Sequence, residues 1–358
     1  MSTTADKENA RVLEVLQRLS SSLVNLNDKA SAPTLSHWRK PTSDVDIAYA
    51  MMSQGGQLLH GTSTKYTLVG KIDMDEGSKL AKDILKGCEL VVTGAMILCN
   101  DDMGCARSTR YFAKHSARSV LIVCEQLVEC FVSGDWTKSE NAAAVKTGAV
   151  WSSCDQLEKI PRGNRNSMRR DLLTWVMECN ETMEEFQELL DKDPAKEGGE
   201  ESTWDDFMDG MSEQYSSSEL PIVQACLAVI KCSRGTLNVC IQTCESVGEH
   251  MGTENEEDLL AFISKLHNLA RLVGEGMTDL GTMMYPPLEL EDVDKEGQHL
   301  SRQVMIQQDS LLVLHTLILD SCPIALTEAV MEMTTKLKAA SKTRAGEAIS
   351  SISQILQN

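Results

Sequence analysis

One repeated pattern constrains the fold of this chain more than any other feature: apolar residues recur at alternating spacings of three and four. The clearest run lies between Leu259 and Met284, where eight apolar residues follow that spacing. Such a spacing places one apolar stripe along an α-helix, and the stripe has to be covered by another helix. The chain contains no run of alternating residues with hairpin turns, which a β-sheet would show. The sequence therefore predicts an all-α protein.

About ten helices are predicted from the repeats, and the prolines agree with their boundaries. All eight prolines fall between the periodic segments or in a first turn, as expected because proline inside a helix costs about 3 kcal/mol. Residues 55–70 fit the pattern least well and are compatible with a loop. The predicted helices span residues 5–28, 42–60, 74–99, 104–133, 139–159, 165–191, 220–248, 254–284, 290–320 and 323–356.

A strongly acidic segment divides the predicted helices into two antiparallel bundles. Residues 191–219 carry ten acidic residues against two lysines, and a proline, two glycines and a serine run disfavour continuous helix. This composition indicates a flexible acidic linker, and long helices with short connections favour bundle packing. The predicted domains are an N-terminal helical bundle at 1–192, the acidic linker at 193–219 and a C-terminal four-helix bundle at 220–358.

The composition limits the class of partner and the compartment. A formal net charge of −19 repels phosphate backbones, so direct nucleic-acid binding is not expected. The twelve cysteines lie in segments that read as helical and are expected to be mostly reduced core residues, which favours the cytosol or nucleus. We expect no signal peptide and no membrane span, because the N-terminus lacks an apolar segment and the most apolar run, 311–326, is interrupted.

The sequence VWSSCDQLEKIPRGN, residues 150–164, is predicted to form a corner between two helices. Pro161 ends the first helix, and Gly163 with Asn164 have the turn and capping chemistry expected before the second. Trp151 is expected to anchor the core rather than to act in catalysis. The predicted buried face consists of Val150 or Trp151, Cys154 and Leu157.

The sequence offers no catalytic or metal-binding signature. Cys240 and Cys244 lie one helical turn apart in CIQTC, but zinc needs about four ligands and no nearby pair of His or Cys completes the set. The glycines of GEGMTDLG, residues 274–281, follow no strand, so they are expected to allow close helix packing rather than to bind phosphate. We therefore expect no cofactor, no metal and no enzymatic activity.

Two surface features are candidates for partner binding. Four apolar residues in the acidic segment have the i, i+3, i+4, i+7 spacing of a short helix that docks into a groove; folding back onto the protein's own bundle, or disorder, is the alternative. Four arginines form a basic patch with three possible interpretations. It is a solvated face, a surface that receives the acidic linker, or part of a nuclear-import signal. The candidate partner-binding residues are Trp204, Phe207, Met208 and Met211, and the basic patch consists of Arg162, Arg165, Arg169 and Arg170.

Two motifs of the chain resemble those of a known family. Their residues are Val150, Trp151, Cys154, Ile160, Pro161, Arg162, Asn164, Tyr285, Pro286 and Pro287. Together with a Trp-Arg pair at 38–39, the acidic mid-chain insert and the sequence CLAV at 226–229, they resemble in order the cyclin-D-binding protein family. This family is also known as the cyclin-D-interacting or Maid proteins, and the resemblance covers most of the chain.

The resemblance implies a non-enzymatic, all-helical regulatory protein of the cytoplasm and nucleus. It implies binding to D-type cyclins, negative regulation of cell-cycle progression, and interaction with signalling adaptors and helix-loop-helix transcription factors. The alternative is a structural adaptor of adhesion or signalling, because tandem bundles of long helices also resemble vinculin and α-catenin. Actin co-sedimentation would distinguish the adaptor from the cyclin-binding regulator.

Overall fold

A computed structural model describes residues 4–26, 35–70, 72–138, 141–191, 215–252, 255–288 and 300–356. Over these residues the chain forms ten α-helices, two short 3-10 helices and no β-strand, so the predicted all-α fold class is confirmed. The α-helices are α1 (Thr4–Val24), α2 (Ser43–Val69), α3 (Met74–Leu98), α4 (Arg107–Val132), α5 (Ala142–Glu158), α6 (Gly163–Asp191), α7 (Leu220–Gly248), α8 (Glu256–Thr282), α9 (Leu300–Ser321) and α10 (Glu328–Leu356). The 3-10 helices are Asp101–Met103 and Asp135–Thr137.

The helices form two compact units, an N-terminal unit that ends at Met168 and a C-terminal unit that begins at Arg169. The division falls inside α6, whereas the sequence predicted that the first bundle extends to residue 192. The reason is that α6 beyond its first turns packs against later helices: the Trp175 ring contacts the His267 ring of α8 at a centroid distance of 5.7 Å. The C-terminal unit therefore contains a fifth helical segment besides α7–α10. Most of the predicted linker, residues 193–214, lies outside the described residues.

The helix α2 continues through residues 55–70, where the sequence was compatible with a loop. Glycines make this possible because they let α2 and α3 approach closely. A Cβ on Gly55 would lie 2.6 Å from the Gly87 carbonyl oxygen, and a Cβ on Gly94 would lie 2.5 Å from the Ala48 carbonyl oxygen. Higher residue numbers in α2 meet lower numbers in α3, so the two helices are antiparallel.

The core of the N-terminal unit consists of the predicted apolar stripes of α1, α3, α4 and α5, joined by apolar residues of α2. Each fully buried aliphatic side chain stabilises the fold by about 1.5–3 kcal/mol relative to exposure. The stripes alternate between three and four residues, so each helix presents one continuous apolar face. Representative fully buried residues are Leu16, Leu23, Leu59, Ile84, Leu98, Val120, Leu127 and Val150.

The helix α7 is central to the C-terminal unit, where it contacts α8, α9 and α10. It is the one described helix with the length and apolar composition of a membrane span, and half of its most apolar window is buried inside the structure. The buried residues of α7 include Ile222, Val229, Ile230, Leu237 and Val247. About half of the most apolar window of α7 is therefore core surface.

The glycines of GEGMTDLG serve close helix packing, as predicted. A Cβ on Gly274 would lie 2.5 Å from the ring of Trp175 in α6, and a Cβ on Gly281 would lie 3.3 Å from the Thr182 side chain of the same helix. A side chain at Gly274 would therefore displace the indole from α8.

Eleven of the twelve cysteines are buried, and Cys322 is half-buried. Cys240 and Cys244, one turn apart on α7, are both inside the core rather than at the surface. Burial raises the pKa of the Cys226 thiol to about 12, so this thiol keeps its proton at neutral pH. The buried cysteines act as small apolar side chains.

Candidate partner-binding site

The family motif at the end of the corner sequence is held by one buried side chain. Asn164, in the first turn of α6, is fully buried. Its Oδ1 accepts hydrogen bonds from the Ala106 backbone N–H at 2.7 Å and the Thr109 hydroxyl at 3.1 Å. Its Nδ2 donates to the carbonyls of His37 at 2.8 Å and Gly104 at 3.0 Å. All four hydrogen-bonding positions of the amide are occupied. Asn164 thereby joins the start of α6 to the segment at His37 and to the segment from Gly104 to Thr109.

The role of Asn164 differs from the predicted one. The sequence predicted a turn or capping residue for the helix that follows the corner. Its side chain instead bonds to the residue that precedes α4 and to two loop carbonyls, which come from distant parts of the chain. The corner between α5 and α6 is thus also the place where the segments at 37 and 104 are fixed.

The turn before Asn164 is fixed by the hydroxyl of Tyr49 in α2. This hydroxyl donates to the Pro161 carbonyl and accepts from the Gly163 N–H, each at 3.2 Å. Gly163 has φ +77°, a left-handed conformation that favours glycine. Burial raises the pKa of Tyr49 to about 12, so the hydroxyl keeps the proton that it donates. The Arg162 guanidinium lies 5.9 Å from the centroid of the same ring.

The prediction that Trp151 anchors the core is wrong, because its side chain is 38% exposed. Its neighbour Val150 occupies the buried position on α5. Adjacent residues of a helix point about 100° apart, so only one of the two can face the core. The Trp151 ring instead stacks on His60 of α2, with ring centroids 5.4 Å apart and planes inclined by 18°. The indole N–H donates to the His60 carbonyl at 3.2 Å.

A groove of about 290 Å³ lies beside this aromatic pair, between α2 and α5. Its lining residues are Gly56, Gln57, His60, Cys154, Asp155 and Glu158. Burial, with added repulsion from Cys124 and two carboxylates, raises the pKa of Cys154 to about 12. The thiol is therefore protonated at neutral pH and is a poor nucleophile. The groove combines an aromatic edge and two exposed carboxylates, which suits binding.

No motif in the sequence marks this groove, although the spacing on α5 contains one signal of it. Trp151, Asp155 and Glu158 lie at i, i+4 and i+7, the spacing of one helix face. Acidic residues are frequent in this chain, so this spacing alone did not indicate a binding site. The contribution of His60 from α2 could be found only from the tertiary structure.

Two further grooves lie at helix surfaces among the described residues of the C-terminal unit. A groove of about 470 Å³ between α6 and α8 has Trp175 and two threonines beside five carboxylates, those of Glu178, Glu181, Glu185, Glu275 and Asp279. A groove of about 330 Å³ between α8 and α9 is mainly apolar and is lined by Lys265, Leu269, Leu312, Val313, Thr316, Leu317 and Ser321. The first groove is acidic, and burial raises the pKa of Glu178 within it.

The second family motif, Tyr285-Pro286-Pro287, forms the turn after α8. The Tyr285 hydroxyl donates to Glu185 Oε1 at 2.7 Å, and its ring lies 5.0 Å from the ring of Phe186. The Pro286–Pro287 bond is cis. These contacts fix the end of α8 on α6, so the motif has a structural role in the C-terminal unit.

The four arginines of the predicted basic patch lie in the turn before α6 and in its first two turns. Arg162, Arg169 and Arg170 are exposed, whereas Arg165 is half-buried. Arg169 Nε lies 3.8 Å from Glu245 Oε1, a distance typical of a weak surface ion pair. Partner binding by this patch remains a prediction. The predicted docking helix, with Trp204, Phe207, Met208 and Met211, lies outside the described residues and also remains a prediction.

One buried titratable group predicts a pH dependence of stability. His315 of α9 is fully buried, and its Nε2 lies 2.9 Å from the Thr236 hydroxyl oxygen. Because that hydroxyl donates its one proton to the Cys232 carbonyl, His315 Nε2 carries the proton of the neutral ring. Burial, assisted by Lys338, lowers the pKa of His315 from 6.5 to about 4. Protonation is therefore favoured in the unfolded chain.

Stability from this histidine is present above pH 6.5 and is lost as the pH falls towards 4. We expect the free energy of unfolding of the C-terminal unit to decrease by about 2 kcal/mol between pH 7 and pH 5 because of His315 alone. Urea unfolding at both pH values, compared with His315→Gln, measures the difference. An equal decrease in the variant would show that other groups cause it.

The described residues define the class of this protein: it is an all-helical protein of two compact units, with grooves between exposed helix faces. The comparisons with known proteins show which family part of this chain resembles. Residues 51–192, from the middle of α2 to the end of α6, match the family described as Grap2 and cyclin-D-interacting, N-terminal. This match confirms the resemblance to cyclin-D-binding proteins that the motifs predicted.

Three curated relatives show the extent of the similarity. The cyclin-D1-binding protein 1 homolog of Danio rerio is 24% identical over 221 residues, covering 60% of this chain and 63% of the relative. That of Xenopus laevis is 25% identical over 181 residues, covering 49% and 52%. Human cyclin-D1-binding protein 1 is 22% identical over 176 residues, covering 46% and 47%. The chain thus spans about half to 63% of the length of these relatives.

Proposed function

We propose that this protein is a non-enzymatic regulator that binds D-type cyclins and restrains cell-cycle progression. The observation that supports the proposal is the family match of residues 51–192, together with relatives whose names state cyclin-D1 binding. Binding would act by occupying a surface of the cyclin, so that no covalent step is needed. The same resemblance supports signalling adaptors and helix-loop-helix transcription factors as further partners, and a location in cytoplasm and nucleus.

The expected contact surface is on the helices that the family match covers. In the N-terminal unit these are α2 to α5, which expose apolar residues besides their buried stripes. Exposed examples are Leu58, Leu68, Met96, Val145 and Trp151. A helix face of this kind can pack against a partner helix in the same way as one bundle helix packs against another.

We expect saturable binding when a purified D-type cyclin is titrated into the purified chain of 358 residues in a calorimeter. A variant with Trp204, Phe207 and Met211 replaced by Ala tests whether the predicted docking helix makes the contact. Loss of binding in this variant places the contact there, because apolar anchors dominate helix-in-groove affinity. Binding that survives places the contact on a helix face of one of the units.

The matched control replaces two exposed methionines of α10, Met331 and Met333, by Ala. This control removes apolar surface but leaves the acidic segment unchanged, so its affinity for the cyclin should equal that of the unaltered chain. Absence of binding at tens of micromolar, with both proteins shown to be folded by circular dichroism, would contradict direct cyclin capture. Actin co-sedimentation would then test the structural-adaptor alternative.

A further inference from the structure

The groove between α2 and α5 has the chemistry of a site for one cationic, planar side chain. We propose that it binds an arginine side chain presented by a segment of a partner protein. This surface and its ligand chemistry do not depend on whether the partner is a cyclin. The volume of the groove, about 290 Å³, is at the lower end of the range of small-ligand pockets. A groove of this size suits a side chain rather than a whole small molecule.

The aromatic pair at the groove is held in place and is accessible: His60 lines the groove, and Trp151 stacks on His60 beside it. Trp151 is fixed by its stack on His60 and by its indole hydrogen bond to the His60 carbonyl, and it is still more than one-third exposed. A guanidinium within about 6 Å of an indole ring is attracted to its face, and Trp is the best aromatic partner. The indole is therefore ready to stack a cation without reorganisation, which lowers the cost of binding.

Two carboxylates lie beside the indole on the same helix. Asp155 and Glu158 follow Trp151 by four and seven residues and line the groove. Both are exposed. A guanidinium that stacks on Trp151 can donate hydrogen bonds to a carboxylate at the same time, in a fork geometry that an ammonium group lacks.

The deeper part of the groove is uncharged. Gly56 has no side chain, and Cys154 is a buried, protonated thiol. These residues can accommodate the apolar stem of an arginine, while the charged end remains near the two carboxylates. The formal net charge of −19 adds a long-range attraction for a basic segment, which favours this ligand over an acidic one.

The test follows the Trp151 indole N–H in the NMR spectrum of the full chain, assigned by its loss in Trp151→Phe. The probe is a capped pentapeptide, Gly-Ser-Arg-Ser-Gly, compared with peptides that carry Lys or citrulline in place of Arg. We expect the Arg peptide to shift the Trp151 resonance saturably and the citrulline peptide, which has the same shape without charge, to cause no saturable shift. The Lys peptide should bind about threefold more weakly, because it stacks less well.

A double substitution, Asp155→Asn with Glu158→Gln, should weaken binding of the Arg peptide about tenfold, because it removes both charges and keeps the shape. The matched control, Glu257→Gln with Asp258→Asn in the first turn of α8, removes the same charge from the other unit and should leave the affinity unchanged. Equal binding of the citrulline peptide, equal weakening by both double variants, or no shift of Trp151 with the Arg peptide would each overturn the proposal. None of these outcomes depends on cyclin binding.

Discussion

Replacing Asn164 by Ala is expected to lower the free energy of unfolding of the N-terminal unit by about 3–5 kcal/mol. The substitution removes four hydrogen bonds in a fully buried site. The Ala106 N–H, the Thr109 hydroxyl and the His37 carbonyl lose their bond to the amide, and a buried polar group without a partner costs about 1–3 kcal/mol. The Gly104 carbonyl is less affected, since it also accepts from the Ser36 N–H.

Urea unfolding followed by circular dichroism measures this loss. The control is Asn166→Ala, two residues further along α6, where the exposed side chain bonds only to the Arg162 carbonyl of the preceding turn. We expect that control to change stability by less than about 0.5 kcal/mol. If both variants were equally stable, the junction around Asn164 would not hold the three segments together as the structure indicates.

Replacing Gly55 by Ala is expected to destabilise the N-terminal unit by about 2–4 kcal/mol, because α2 and α3 would have to separate. The new Cβ would lie 2.6 Å from the Gly87 carbonyl oxygen and 3.0 Å from the Val91 backbone nitrogen. Both are backbone atoms, which cannot move aside as a flexible side chain can. Because these two long helices are in rigid contact, adding one methyl group is expected to cause a large loss of stability.

The same substitution at Gly61 of α2 is the matched control, since a Cβ there meets nothing within 4 Å. Ala is a better helix former than Gly by about 0.8–1.0 kcal/mol, so Gly61→Ala should raise the midpoint of urea unfolding while Gly55→Ala lowers it. Opposite shifts of the midpoint with an unchanged slope would support the close α2–α3 contact. A stabilising effect of Gly55→Ala would contradict it.

The helices and their approximate ends could be predicted from the sequence, because both depend on local spacing. Apolar stripes gave ten helices, and the corner residue Pro161 lies between the observed ends of α5 and α6. The least regular stretch, 55–70, was ambiguous because glycine lowers helix propensity. Its helical state follows from packing on α3, which no local pattern describes.

The candidate groove could be predicted only in part. The spacing of Trp151, Asp155 and Glu158 along α5 is enough to predict that they share one helix face. Whether Val150 or Trp151 enters the core depends on the helices packed around α5, and the expectation that Trp151 anchors the core was wrong. His60, which stacks on Trp151, is 91 residues away along the chain, so its contribution follows from the pairing of α2 with α5.

The sequence by itself determined that this protein is all-helical, where its helices lie and which family motifs it carries. Helix formation follows a period of 3.6 residues, so each of these features can be recognised within a short window of the chain. The tertiary structure decided which residues meet. Asn164 bonds to a carbonyl 127 residues away, and α6 continues past Met168 into a unit built from later helices. Such contacts depend on the shapes of two or more packed surfaces, and no single segment of the sequence contains that information.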